Sequence, residues 1–279
     1  MLDPEAKGVG SVFTKRLPTP FGKSANLRRT DSMNHKLMLA LRHKVLLIVC
    51  LITPAASHAQ EITPKHLELA VDFVHNLSSA DTEYRHKNTF VHWKGVNGAE
   101  KNEARTDCSG FLDALLGQTY GLTRDDFQKW SGKARPLART YYDLIHEGKG
   151  FANIQAVQDI RPGDIIAVKF PPGEDDTGHA MLISGVPHKR AESAPIEDGT
   201  VQWEVKVIDA SKTGHGITDT RHKPDGSFSC GVGEGILRLY TGKDGHIVGY
   251  AWSVQAKSAF HGQKSKQLVV GRFDPKFKP

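Results

Sequence analysis

The apolar period of this 279-residue chain changes once, near Gly148, and that change limits the folds open to it. Upstream, Leu67, Ala70, Val71, Val74 and Leu77 recur at helical spacing. So do Phe111, Leu112, Leu115 and Leu116, and then Leu137, Tyr141, Leu144 and Ile145. Each set lines one face of a 3.6-residue period. Downstream, residues 165–170 and 179–185 are short apolar runs bounded by turn residues. Residues 201–209 place Val201, Trp203, Val205 and Val207 on one face by alternation. Residues 236–240 and 246–253 flank Thr241-Gly242-Lys243-Asp244-Gly245, a hairpin signal, and 268–273 reads as a last short strand. Helices first and an antiparallel sheet second predict an α+β fold, with the N-terminal helices packed on one side of an antiparallel β-sheet.

Local signals set the expected boundaries. Thr63-Pro64 reads as N-cap and first helical position of a helix running to about Ala80. A second helix starts at Cys108 and ends near Gly117 or Gly121. Thr123 caps a short helix through Trp130, and Gly148 stops the helix that begins after Pro136. Residues 81–106, polar and aromatic with Tyr84, His86, Phe90, His92 and Trp93, read as loop with at most short structure and solvated histidines, and 216–230 reads as polar loop. The chain shows no internal repeat.

The first 59 residues have a different character. Residues 1–32 are polar and basic, with no sustained apolar period, and read as an unstructured extension or a mis-assigned start. Met33 opens a second pattern: Lys36, Arg42 and Lys44, then the apolar run Val45 to Ile52, then Ser57-His58-Ala59 with small residues at both positions of a cleavage site. Residues 33–59 thus have the layout of a secretory signal peptide, and the protein is expected to be exported, periplasmic or secreted. The apolar core is far shorter than the roughly 20 residues that span a bilayer, so no stable membrane span is expected after cleavage. Residues 60–279 remain as one domain of 220 residues, enough for a good core. Of the 37 basic and 31 acidic side chains, 9 and 3 lie in residues 1–59, which leaves 28 of each. The net charge of +6 vanishes with the leader, and with it the argument for a nucleic-acid partner.

Within the domain, Arg105-Thr106-Asp107-Cys108-Ser109-Gly110-Phe111-Leu112 sets a cysteine where a polar loop turns into a helix. The first turn of a helix has free N–H groups and a partial positive charge, which favour a thiolate. Ser109 and Gly110 are small and leave room for a substrate backbone. Cys108 is therefore a candidate nucleophile. A buried inert thiol or a disulfide to Cys230, 122 residues away, stands beside that reading. His179 begins a strand, and Asp209 ends a neighbouring one. Adjacent antiparallel strands bring the start of one close to the end of the next. Cys108, His179 and Asp209 then give the nucleophile, base and orienting group that acyl transfer needs.

Asp107-Cys108-Ser109-Gly110-Phe111, Arg161-Pro162-Gly163-Asp164-Ile165, Gly178-His179-Ala180-Met181-Leu182-Ile183 and Val207-Ile208-Asp209-Ala210-Ser211 occur in that order. The set resembles the NlpC/P60 superfamily of papain-like cysteine peptidases over roughly residues 64–211, with the remainder extending the sheet. The resemblance implies a papain-like fold, a nucleophile at Cys108, a general base at His179 and a polar third residue at Asp209. It also implies hydrolysis of amide bonds in peptidoglycan stem peptides; separately, no HExxH or paired His/Cys spacing points to a metal, and no cofactor is expected. A non-catalytic binding module of the same fold and an acyltransferase or transglutaminase-like enzyme are the alternatives. The oxyanion would be held by the backbone N–H of Cys108. Tyr84 is the candidate for the tyrosine that family members often add upstream of the nucleophile, against its reading as an ordinary half-buried aromatic. Ser109 and Arg221 complete the candidate substrate-binding set. Arg221, with His215 and Asp219, either rims the cleft to take a substrate carboxylate or holds its own loop. Trp203 and Trp252 read as core aromatics. Gly231, Gly233 and Gly235 lack the strand–turn–helix context of a dinucleotide loop.

Overall fold

The computed structural model describes residues 63–279. The segments read as an extension (1–32) and as a signal peptide (33–59) lie outside the described residues, and so does the export inferred from them. Helix α1 (Lys65–His75) precedes three short strands, β1 (Thr82–Tyr84), β2 (Phe90–His92) and β3 (Glu103–Thr106). Helices α2 (Cys108–Tyr120), α3 (Arg124–Ser131) and α4 (Ala138–His146) follow. The C-terminal half is made of β4 (Phe151–Ile154), β5 (Ile165–Lys169), β6 (Gly178–Ile183), β7 (His188–Lys189), β8 (Val201–Ser211), β9 (Gly231–Thr241), β10 (Ile247–Ala251), β11 (Phe260–Gly262) and β12 (Gln267–Phe273). The fold is α+β, with helices and an antiparallel sheet. No helix among the described residues is long and apolar enough to cross a membrane.

The helix ends follow local chemistry. Asp107 caps α2, accepting from the Gly110 N–H, and the helix stops at Gly121 in the left-handed region, the later of its two expected ends. Thr123 and Asp126 form a reciprocal capping box on α3. Helix α1 departs from expectation at both ends. Pro64 occupies the N-cap position, with its carbonyl accepting from the N–H groups of Leu67 and Glu68, and the helix ends at Asn76 instead of near Ala80. The segment 81–106 carries short structure within its loops. β1 pairs parallel to β3 and β2 pairs antiparallel to it, as a separate three-stranded sheet.

The main sheet runs β11-β10-β9-β8-β6-β5-β12-β4, with β7 on β8, and every pairing in it is antiparallel. It curls: Ala156 bridges His246, and the Ile247 N–H donates to the Gln155 carbonyl, which ties the turn after β4 to the start of β10. Strand alternation divides the apolar residues between two cores. Ala180, Leu182, Ile208 and Ala210 face the helices and pack with Phe73, Phe111, Leu115 and Tyr141. Met181, Ile183, Val205, Val207, Leu237 and Val270 fill the concave side. Helix α2 lies against β6 and β8, so its first residue sits at the end of the strands that carry His179 and Asp209.

One carboxyl is largely enclosed beside the helical core. The Tyr141 hydroxyl donates to Asp113 Oδ1 at 2.7 Å, and Asp113 Oδ2 has no hydrogen-bond partner. Burial pushes this carboxyl up to about 8, against the Tyr141 hydrogen bond and the charge of Arg135, which pull it down. The folded chain therefore holds a proton that the unfolded chain releases near the ordinary value of 3.8. Between those two values stability falls as pH rises, because the folded state binds the extra proton. Asp113→Asn mimics the protonated acid. It is expected to gain on the order of 5 kcal/mol at pH 8 and close to nothing at pH 4. Unfolding midpoints across that range check it. A difference that does not change with pH would mean the carboxyl is ionised throughout.

Candidate active site

The inner face of β6 and β8 changes character toward one end of the sheet. Leu182 pairs with Ile208 and Ile183 with Val207. In that register His179 and Asp209 alternate onto the same face as Met181 and Val207, as diagonal neighbours across the pair. His179 Nε2 donates to Asp209 Oδ2 at 2.6 Å, and both residues are buried, with 7% and 1% of their surface exposed. The remaining ring nitrogen, Nδ1, is left for Cys108, which is near enough to raise the proton affinity of His179. Burial alone would lower the proton affinity of His179. The negative charge at Cys108, the hydrogen bond to Asp209 and the charge of Asp209 outweigh it and push His179 up to about 10. The structure thus brings Cys108, His179 and Asp209 together. Cys108 and Cys230 are both free, which removes the disulfide reading.

Asp107 fixes the start of α2. Its Oδ1 accepts from the Gly110 N–H at 2.8 Å and from Arg135 Nη2 at 2.6 Å, and its Oδ2 accepts from His86 Nδ1 at 3.1 Å. Burial opposes the charge of Asp107, but the Arg135 and Gly110 hydrogen bonds hold it below the usual carboxylate range. A Cβ on Gly110 would lie 2.7 Å from Arg135 Nη2. The small residue there makes room for the arginine on the N-cap carboxylate, not for a substrate backbone as its spacing suggested. With the cap on Gly110, the N–H groups of Cys108 and Ser109 have no acceptor inside the helix.

A cavity of about 290 Å³ opens in front of Cys108. Tyr84, His86 and Arg135 line it, with Leu137 and Ala138 as an apolar wall and Asp175 to Gly178 across the mouth. Tyr84 is half-buried on β1, and burial together with the nearby charge of Cys108 and Asp176 raises its hydroxyl well above the ordinary value. Strand β1 is held there by Thr82, whose Oγ1 accepts from the Val232 N–H at 2.7 Å. His86 is an exposed loop residue, as read, yet it contacts Asp107 and lies 3.5 Å from Asp176 Oδ1. Ser109 is buried, and its hydroxyl donates to Asp107 Oδ1 at 3.3 Å, so it supports the N-cap while lining the cavity.

Arg221 does not hold a substrate carboxylate. It is 2% exposed, and its guanidinium is taken up by the protein. Nε and Nη2 donate to Asp219 Oδ1 and Oδ2, both at 2.8 Å; Nη2 also donates to Asp209 Oδ1 at 2.9 Å, and Nη1 to the Gly231 carbonyl at 3.0 Å. The second carboxyl oxygen of Asp209 accepts from His215 Nε2 at 3.0 Å as well as from His179. Burial opposes the ionisation of Asp209, but the charges of Arg221 and His215 and the hydrogen bonds to His179 and His215 hold its carboxyl well below the usual range. Gly233 and Gly235 explain why this cluster fits. They are strand positions on β9, and Cβ atoms there would lie 2.7 Å from Arg221 Nε and 2.7 Å from His215 Cβ. The glycine alternation that resembled a weak nucleotide loop is the space for a buried charge cluster. Trp252 is a core aromatic only in part. Its ring stacks on His215 at 4.4 Å and meets the edge of His179 at 4.8 Å.

Sequence reasoning placed His215 in a loop cluster without tying it to Asp209, and it missed Arg135 and Asp107 as supports of the nucleophile. Asp107 carried a usable signal, as a carboxylate directly before a helix start. The pairing with Arg135, 28 residues on, carried none.

No family model matches the chain, and no solved structure matches it. An uncharacterized protein of Acanthamoeba polyphaga mimivirus is 40% identical over 204 residues, which is 70% of this chain and 89% of the viral protein.

Proposed function

We propose that this chain, which belongs to the same family as the mimivirus protein, is a papain-like cysteine hydrolase of the NlpC/P60 kind that cleaves amide bonds. The observation that carries the reading is the placement of His179 between Cys108 and the buried Asp209, with its Nε2 committed to the carboxylate. Cys108 gives its proton to His179 Nδ1 and attacks the amide carbon. The oxyanion forms against the backbone N–H groups at the start of α2, with the Tyr84 hydroxyl, held neutral by its surroundings, on the same cavity. His179 then gives the proton to the leaving amine. Water, activated by the same imidazole, hydrolyses the thioester and frees the thiol. Asp209 keeps its charge throughout and holds the ring in the tautomer that leaves Nδ1 toward sulfur.

Peptidoglycan stem peptides are the substrate class, and the enzyme acts outside the cytoplasm after loss of residues 33–59. The test uses the purified chain and isolated stem peptides, with new amine ends read by mass spectrometry and Cys108 labelled in parallel by iodoacetamide. Cleavage is expected together with rapid labelling of Cys108 near neutral pH, both lost in His179→Ala. A Cys108 that labels no faster than Cys230, in wild type and variant alike, would overturn the hydrolase reading in favour of a binding module. Labelling without cleavage would keep the chemistry and move the substrate elsewhere.

A further inference from the structure

The proposed chemistry uses one histidine, yet a second one touches the same carboxylate. His215 is fully buried in the loop between β8 and β9. Its Nδ1 lies 2.7 Å from the Trp252 carbonyl oxygen, and its Nε2 lies 3.0 Å from Asp209 Oδ2. Both partners only accept hydrogen bonds, since Asp209 is ionised against Arg221, so both ring nitrogens donate. That makes the ring a cation, and it stacks on the Trp252 indole at 4.4 Å, a contact that favours positive charge. The charges then balance. Asp209 and Asp219 supply two negative groups, and Arg221 and His215 supply two positive ones. The cluster is neutral without His179, so the charge of His179 is balanced by Cys108 while its Nε2 stays bonded to Asp209.

We propose that His215 is a positioning residue of this site: it acts through Asp209, as a second cation on the oxygen that orients His179, and so sets how firmly His179 holds its proton. The inference rests on the Cys108–His179 reading above. Without His215 the full charge of Asp209 would fall on Arg221 and His179, and His179 would keep its proton to higher pH. The groups involved are few. His179 faces Asp209 from β8, Cys108 from α2 and the ring of Trp252 beyond β10. Asp209 faces His179, His215 and Arg221, while Tyr84 on β1 feels the charge of both Cys108 and Asp209. His215 itself faces Asp209 and, through its backbone N–H, Asp219.

The experiment follows the rate of Cys108 alkylation by iodoacetate against pH in the full chain carrying Cys230→Ser. Iodoacetate is an anion, so it reacts fastest while His179 beside the thiolate is positive, and the rate falls as His179 loses its proton. His215→Gln keeps a hydrogen-bond donor toward Asp209 and removes the charge. Its alkaline limb is expected to move up by about one pH unit, roughly tenfold in rate just above the parent limb. A folded His215→Gln with an unmoved limb, even if slower at every pH, would reduce His215 to a structural role and overturn the proposal. If the parent shows no fast, His179-dependent alkylation, the hydrolase reading itself fails, which is a separate outcome. Should the variant not fold, the ¹⁵N spectrum of the native histidines decides. His215 is expected with protons on both nitrogens, and one bare nitrogen overturns the proposal.

Discussion

Cys108→Ala is expected to lower amide hydrolysis by at least ~10⁴-fold, and His179→Ala by a similar factor. The double variant should be no worse than either single one. A nucleophile and its base act as a unit, so once either is gone the other has nothing left to do. Losses that multiply in the double variant would mean that the two residues contribute independently, and that Cys108 is not activated by His179. Stability should respond differently. Cys108 is 5% exposed and small, so truncating it leaves a minor void, whereas His179→Ala strips a buried cation from Asp209. Kinetics and unfolding midpoints measured on the same preparations separate the two effects.

The pH dependence of hydrolysis follows from the same pair. His179 is raised to about 10, so the imidazolium that serves the leaving amine survives through neutral pH and is lost above it. Activity should fall on the alkaline side as pH passes through that value. The linkage runs the same way: a raised histidine stabilises the fold fully below its ordinary value of 6.5, and that contribution is lost as pH rises through about 10.

Much of this arrangement was legible in the chain because it depends on local signals. A helix start after Asp107, a strand start within one residue of His179 and a strand end within two residues of Asp209 each follow from residue types within a few positions. Strand β9 was only half legible. Its apolar part, residues 236–240, reads as a strand, but Gly231, Gly233 and Gly235 weaken that pattern, and only pairing to the whole length of β8 makes them extended. Of the two readings of Arg221, the one in which it holds its own loop with Asp219 is what the structure shows, and the contact to Asp209 is what the sequence lacked. The two carboxylate partners of Arg221 lie 2 and 12 residues away, and nothing in the sequence says that Asp209 reaches it once glycines clear the space. Segment 81–106 was legible only as loop with short structure: its strands are three or four residues long and stabilised by pairing with one another, below the length at which a period of two can place them.

Asp209→Ala is expected to cost about 3–5 kcal/mol of stability in addition to activity. Asp209 is the only carboxylate contacting His215 Nε2 and His179 Nε2 among the described residues, and it shares Arg221 with Asp219. Truncation leaves His215 without its carboxylate, and Arg221 with half of its neutralising charge, where water does not reach. For a domain of this size the cost corresponds to a fall of roughly 10 °C in unfolding midpoint. Asp209→Asn should not rescue it, although a carboxamide orients an imidazole well in principle. Its single carbonyl oxygen could take at most the two imidazole donors, and its amide N–H groups would then point at the Arg221 donor. Acid provides an independent check. The Asp209 carboxyl is held well below its ordinary 3.8, so it stabilises the fold above that value and loses the contribution as pH falls toward its lowered one. The stability gap between wild type and Asp209→Ala should therefore close below pH 4. A gap that persists unchanged into strong acid would mean the loss comes from packing, and that the charge of Asp209 is not what holds His215 and Arg221 in place.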